Sequence, residues 1–214
     1  MRTLFKNSEL LFNNVDTVNK LKDKLNEYHK EEIEGKKEQR LNILIKAMEK
    51  RINVRYFSIM KQWNDKKDPN KEQWGFILMS VNCILIELYF QIVNGFVYSD
   101  DCGNSVCDAY RETIPDLISN TSAEDREQFY YDIRCSLIHQ AQTNRRVAIS
   151  FEISNEILPN YIEGEQYFLY NPSLIFSSIE EKYKNVFKKA MNAEEHTLRN
   201  NILKKIEYIL YKKV

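Results

Sequence analysis

WGFILMSVNCILIELYFQIVNGFVY, residues 74–98, is an apolar run whose reading decides the architecture. It is long enough to cross a bilayer. Asn82, Glu87, Gln91 and Asn94 interrupt it, and a carboxylate near the centre of a span costs about 2.5–3.5 kcal/mol on the insertion scale. A helix apolar on nearly all sides suits the centre of a helical bundle, and these interruptions select the bundle over the membrane.

The rest of the chain agrees with that choice. Five Gly and four Pro in 214 residues leave few breakers, so elements run long, and in a chain rich in Lys, Glu and Leu long elements are helices. Apolar residues make up 43% of the chain, enough for a proper core. Thirty-one basic residues balance 31 acidic ones, which gives no support for a general nucleic-acid or membrane binder and leaves room only for a local basic cleft. The opening MRTLFKNSELLFNN carries no apolar signal region, so the expectation is a cytoplasmic protein with reduced thiols. Cys102 and Cys107 are separated by four residues, but zinc needs two further ligands and His29 and His196 are distant in sequence. No metal or cofactor is expected.

Periodicity orders the elements. Residues 8–31 read as an amphipathic helix with Leu11, Val15, Val18, Leu21, Leu25 and Tyr28 on one side. A charged elbow at 31–37, centred on Gly35, precedes a helix over 38–63. A loop at 64–70 leads to the apolar helix, 72–97, and a second loop follows at 98–105. A short helix covers 106–119, where Pro115 either kinks it or starts a new turn. Ser122 and Asp125 form a capping-box pattern for a helix running to about Gln142. The period then changes: Val147, Ile149, Phe151 and Ile153 alternate with Ala148, Ser150, Glu152 and Ser154, a strand signature. A turn at 155–160 with Pro159 and a return strand over 161–170 complete a β-hairpin at about 147–170. Asn171-Pro172 starts a helix over 172–191, and a final helix spans about 194–212. The expected fold class is mainly α: a single helical domain over 1–214, with an N-terminal arm (1–35), a bundle core (38–191), a C-terminal helix (194–214) and a small inserted hairpin.

The segment that bears on function is Phe129-Tyr-Tyr-Asp-Ile-Arg-Cys-Ser-Leu-Ile-His-Gln-Ala-Gln-Thr143. On a regular helix Phe129, Ile133, Leu137 and Ala141 form an apolar stripe, while Asp132, Ser136, His139 and Thr143 form a polar one. Arg134 lies about 140° around from His139. Two arrangements bring them together: the helix loosens near Ile138, or two copies pack about a two-fold axis, each supplying what the other lacks. A guanidinium holds phosphate oxygens through a planar fork, and an imidazole exchanges protons near neutral pH. Such a pair can cleave RNA without metal, His139 assisting attack by the 2′-hydroxyl and Arg134 steadying the charge growing on phosphorus. The plainer reading pairs Arg134 with a buried carboxylate such as Glu87 and leaves His139 at a helix end. Arg145 and Arg146 can extend a basic cleft or lie in a solvated loop. Of Tyr130 and Tyr131, either of which can stack on bases, helical phase puts one in the core and one at the surface. Asp132 can orient His139 through Ser136, although a surface carboxylate is the default.

Arg, four residues, then His, late in a helix of a helical bundle, resembles the HEPN family (higher eukaryotes and prokaryotes nucleotide-binding domains). Tyr131 to Gln140 looks like that motif in bacterial members, and Trp74 to Tyr98 resembles the helix these proteins place before it. The resemblance spans residues 38–191, with its specific part in about ten of them. It implies an up-down bundle, a homodimer with Arg134 and His139 as the catalytic pair in a shared cleft, and a metal-independent endoribonuclease or RNA-binding protein of toxin–antitoxin or defence type, with an antitoxin-like partner. The same family also contains non-catalytic interaction and nucleotide-binding modules. This chain departs from the pattern after the Arg, where Cys135 stands in place of a polar residue such as Asn; Ser136 is the candidate to take that role.

Overall fold

α4, Gly75–Asn94, is the one helix among the described residues long and apolar enough to cross a membrane by length and composition. Leu78, Met79, Cys83, Leu85, Ile86 and Phe90 on it are buried in the protein. Asn82, also buried, donates from Nδ2 to the Pro172 carbonyl at 2.9 Å, so one polar interruption ties α4 to the start of a later helix. The computed structural model describes residues 15–64, 71–103, 105–118, 121–144, 146–162 and 165–211. The expected helix ahead of residue 15, most of the loop at 64–70, the cap candidates Ser119 and Asn120, Arg145 and Gly164 lie outside them.

The protein is a mainly helical bundle with a small three-stranded sheet. The helices are α1 (Val15–Lys30), α2 (Glu34–Ile52), α3 (Ser58–Trp63), α4, α5 (Val106–Leu117), α6 (Ala123–Gln128), α7 (Ser136–Gln140), α8 (Pro172–Ala190) and α9 (His196–Tyr211). Widened π-helical turns carry the chain from α2 into α3 (Asn53–Phe57) and from α6 into α7 (Phe129–Cys135). The periodic stripes fall where expected: Leu41, Leu44, Ile45, Met48, Ile52 and Phe57 are buried, as are Ile175, Ile179, Tyr183, Val186, Phe187 and Ala190. Two starts also hold. Ser122 caps α6 reciprocally with Asp125, and the Asn171 Oδ1 accepts from the backbone of Ser173 and Leu174 while Pro172 takes the first helical position.

Four local expectations are corrected. The elbow before α2 falls at 31–33, not at Gly35, because Ile33 is extended and its carbonyl already accepts from Lys36 and Lys37. Gly35 then sits in the first helical turn, where backbone N–H groups need no intrahelical partner. Pro115 starts no new turn; it lies within α5, and the Ile118 N–H closes on Ile114 behind it. The expected hairpin is a three-stranded sheet of order β1-β3-β2, with β1 Val147–Ile149, β2 Ile157–Ile162 and β3 Glu165–Tyr170. β1 pairs with β3 in parallel, and β2 is the antiparallel partner of β3. Pro159, expected in a turn, lies in β2, at a sheet edge where a missing N–H is tolerated.

The chain divides into two compact units. Within the described residues, the first holds 15–55, 91–97 and 185–211; the second holds 56–90 and 98–184. In the first, α1, α2 and α9 pack on one another, with His29 Nε2 2.9 Å from a Glu207 carboxylate oxygen. In the second, the first part of α8 lies against α4, where the Tyr183 hydroxyl donates to the Leu85 carbonyl at 2.8 Å, and Phe57 packs on Phe176 and Tyr183. The sheet and the α6–α7 segment belong to this second unit.

Gly95 follows α4 at φ 73°. A Cβ there would run into the Asn201 carboxamide, whose Nδ2 donates to the Val93 carbonyl at 2.6 Å. Gly95→Ala is expected to lower stability by about 1–3 kcal/mol in urea denaturation, from a strained φ and the clash together. Adding Asn201→Ala should recover only the clash part; an unchanged midpoint for Gly95→Ala contradicts this account.

Candidate functional site

The site is built on the π-helical turn. Phe129, Tyr130 and Tyr131 are three consecutive aromatic residues, and the wider turn lets their rings diverge. Phe129 is buried, stacked on Tyr110 at 5.9 Å and edge-on to Tyr170 at 5.4 Å. Tyr130 leans on Tyr110 at 5.4 Å. Tyr131 is 54% exposed, its ring edge-on to Tyr130 at 5.0 Å.

The wider turn also resets the phase of everything after it. A π turn advances roughly 80° per residue against about 100° in an α-helix. Asp132, Ile133, Ser136 and Leu137 then share the inner face and are buried. Tyr131, Ile138 and His139 are exposed, and Arg134 and Cys135 are half-buried. The polar stripe expected of a regular helix is therefore broken: His139 does not share a face with Asp132 and Ser136. Arg134 and His139 are about 120° apart, at the two margins of one exposed face with Cys135 between them. The loosening near Ile138 does not occur; α7 is regular to Gln140 and ends at Ala141 in the left-handed conformation, φ 55°.

The inner polar groups serve the backbone. Asp132, expected at the surface, is 9% exposed and accepts from Asn144 Nδ2 at 2.6 Å, while its carbonyl accepts the Asn144 N–H at 3.0 Å. The Ser136 hydroxyl donates to the Tyr131 carbonyl at 3.2 Å. Neither reaches His139, so the relay from Asp132 through Ser136 is absent. Together with Thr143, whose hydroxyl donates to the Val147 carbonyl at 2.7 Å, Asn144 fastens the end of the motif helix to β1.

Arg134 is held from the side. Its Nε donates to Glu87 Oε1 at 2.9 Å, with side-chain exposures of 18% and 20%. This is the pairing expected of the lone charge on α4. Burial works against the Arg134 charge, but the hydrogen bond and charge of Glu87 outweigh it and raise its pKa above the ordinary guanidinium value. The guanidinium also lies over the Tyr130 ring at 5.7 Å. Tyr110, which the sequence reading passed over, is fully buried and donates from its hydroxyl to Glu87 Oε1 at 2.9 Å. Burial first, then the neighbouring Cys83 and Glu87, hold its phenol protonated well above the usual range. The signal was available: a tyrosine on the inner face of an amphipathic helix needs a polar partner, and α4 offered one carboxylate. Burial pushes the Cys83 thiol up to about 12.

Arg146 is exposed just before β1, and among the described residues no hydrogen bond or ion pair joins it to Arg134 or His139. Arg145 lies outside the described residues. Groups of His, Cys, Asp and Glu arranged to hold a metal do not occur among the described residues. In the first unit a cavity of about 320 Å³ is lined by Tyr28, Lys37, Glu38 and Arg199, among others. Arg199 is a structural tie there, donating to the Ala190 carbonyl at 2.7 Å and to Glu38 at 2.6 Å.

No protein-family model, curated protein or solved structure matches the chain. The likeness to HEPN proteins thus stands on the motif residues themselves.

The Arg134–Glu87 pair lies between the surface and buried limits for ion pairs, so Glu87→Ala is expected to cost about 1–3 kcal/mol in urea denaturation. The Glu87→Ala/Arg134→Ala double variant should be less destabilised than the sum of the singles, by about 1 kcal/mol. Strict additivity would mean that the pair contributes nothing.

Proposed function

We propose that the chain is a HEPN-like RNA-binding protein and metal-independent endoribonuclease whose complete site forms when two copies associate. One observation carries the reading: Arg134 and His139 bracket a single exposed face, too far around one helix to act together and well disposed to be completed by a second copy. In that arrangement the Arg134 fork of one copy grips the scissile phosphate. The His139 imidazole of the other accepts the 2′-hydroxyl proton as that oxygen attacks phosphorus. Returning the proton to the departing 5′-oxygen completes the transfer and leaves a 2′,3′-cyclic phosphate. Tyr131, exposed on the same face, offers a ring for an unpaired base. Ile138, 51% exposed, gives the face apolar area for association. An antitoxin-like protein covering this face is the partner the resemblance implies.

A second reading has its own observation. Glu87 already neutralises Arg134, and Cys135 stands where the family motif carries a polar residue. On that reading the same face is a non-catalytic docking surface, and RNA is bound without turnover or not at all.

Purified protein incubated with single-stranded RNA in EDTA should yield fragments ending in 2′,3′-cyclic phosphate, and sedimentation should give a homodimer. His139→Ala should abolish cleavage while keeping the circular dichroism spectrum and Tm of the parent. Undiminished cleavage by that variant removes the enzymatic reading; a well-folded dimer with no turnover favours the second.

A further inference from the structure

The contacts around Arg134 carry the site reading one step further. A single carboxylate oxygen, Glu87 Oε1, accepts both Arg134 Nε and the Tyr110 hydroxyl, each at 2.9 Å. The Tyr110 ring also braces Tyr130, whose ring underlies the guanidinium. Tyr110 therefore acts on Arg134 twice, through the carboxylate at its edge and through the aromatic ring at its face. It never touches the guanidinium as a hydrogen-bond partner.

Resting on the proposed function above, we propose that Glu87, Tyr110 and Tyr130 form a preset seat for the Arg134 guanidinium, gripping its Nε edge and one face so that the terminal fork is presented to an RNA phosphate, with Tyr110 as the positioning residue. A counter-charge for Glu87 could be supplied by any cation. Side-on use of Nε is particular to a guanidinium, because a lysine ammonium has no second edge to leave free. The entropy of ordering a long side chain is met during folding rather than when the phosphate arrives. Tyr110 can do this because it is fully buried and packed between Phe129 and Tyr130, which holds its hydroxyl on α4, 2.9 Å from Glu87 Oε1 and 3.3 Å from the Cys83 carbonyl.

The test is chemical rescue. Arg134→Ala empties the seat and leaves the carboxylate, the phenol and the ring behind. Titration of this variant with guanidinium chloride at low-millimolar concentration, against sodium chloride at equal ionic strength, should give saturable shifts of the amides around Glu87 and Tyr130 in 1H–15N spectra. The same additions should restore affinity for a fluorescein-labelled single-stranded RNA, read by anisotropy. Arg134→Ala/Tyr110→Phe should show neither effect. Tyr110→Phe alone should weaken RNA binding on the order of tenfold, the loss expected of one charge-assisted contact. Should that variant fold poorly by circular dichroism, Glu87→Gln, which keeps the shape, substitutes for it in both measurements.

An absence of saturable guanidinium binding by Arg134→Ala overturns the seat. Guanidinium binding that leaves RNA affinity unrestored, or rescue undiminished in the double variant, overturns the positioning role. Both readouts are independent of turnover. A rescued binder that never cleaves defeats the ribonuclease reading alone, and a cleaving wild type without rescue defeats the seat alone.

Discussion

Glu87 is the one charge on a helix that is otherwise apolar or uncharged for twenty residues. A carboxylate four-fifths removed from water needs both a counter-charge and hydrogen bonds. Here it takes the counter-charge from Arg134 and the hydrogen bond from Tyr110. Those two residues arrive on different elements, the π-helical turn and α5, so one oxygen atom fixes the register of both against α4. The aromatic packing of Tyr110 with Phe129 and Tyr130 follows from the same requirement. Without it, α5 and the motif helix could slide over the apolar surface of α4 with little preference, because dispersion contacts alone are weakly directional.

The second constraint is the phase of the motif helix. The inner groups Asp132, Ser136 and Asn144 spend their hydrogen-bonding capacity on backbone and loop, which leaves the outer face to Tyr131, Arg134, Cys135, Ile138 and His139. Polar groups placed inward for structure and reactive ones outward for contact is the division that a recognition surface requires. Widened turns of this kind recur at functional positions in helices, where they re-aim side chains without ending the helix.

Much of this was legible in the residues. The helical stripes, the Ser122–Asp125 box and the Asn171-Pro172 start depend on local spacing, and local spacing is what a sequence displays most directly. The pairing of Glu87 with Arg134 was legible for a different reason: a lone charge in an apolar helix narrows its own choice of partner. What was hidden depends on distant or subtle causes. The burial of Asp132 follows from Asn144, a residue in the loop beyond the helix whose return no periodicity announces. The parallel pairing of β1 with β3 depends on how the chain re-enters the sheet after β2, whereas alternation reports only that strands exist. The slipped hydrogen-bond ladder over Phe129–Cys135 has a trace in the run of three aromatic residues, but regular-helix geometry assigned His139 to the wrong face by about 70°.

That slip amounts to one surplus residue in a helix whose two ends are pinned, upstream by the Ser122 cap and downstream by Asn144. Loss of a single codon from this turn, other than that of Asp132, would close the ladder to the regular α pattern without cutting either anchor. The width of the exposed face, and with it the span between guanidinium and imidazole, is thus a quantity that descent can change in one mutational event, leaving the surrounding core untouched.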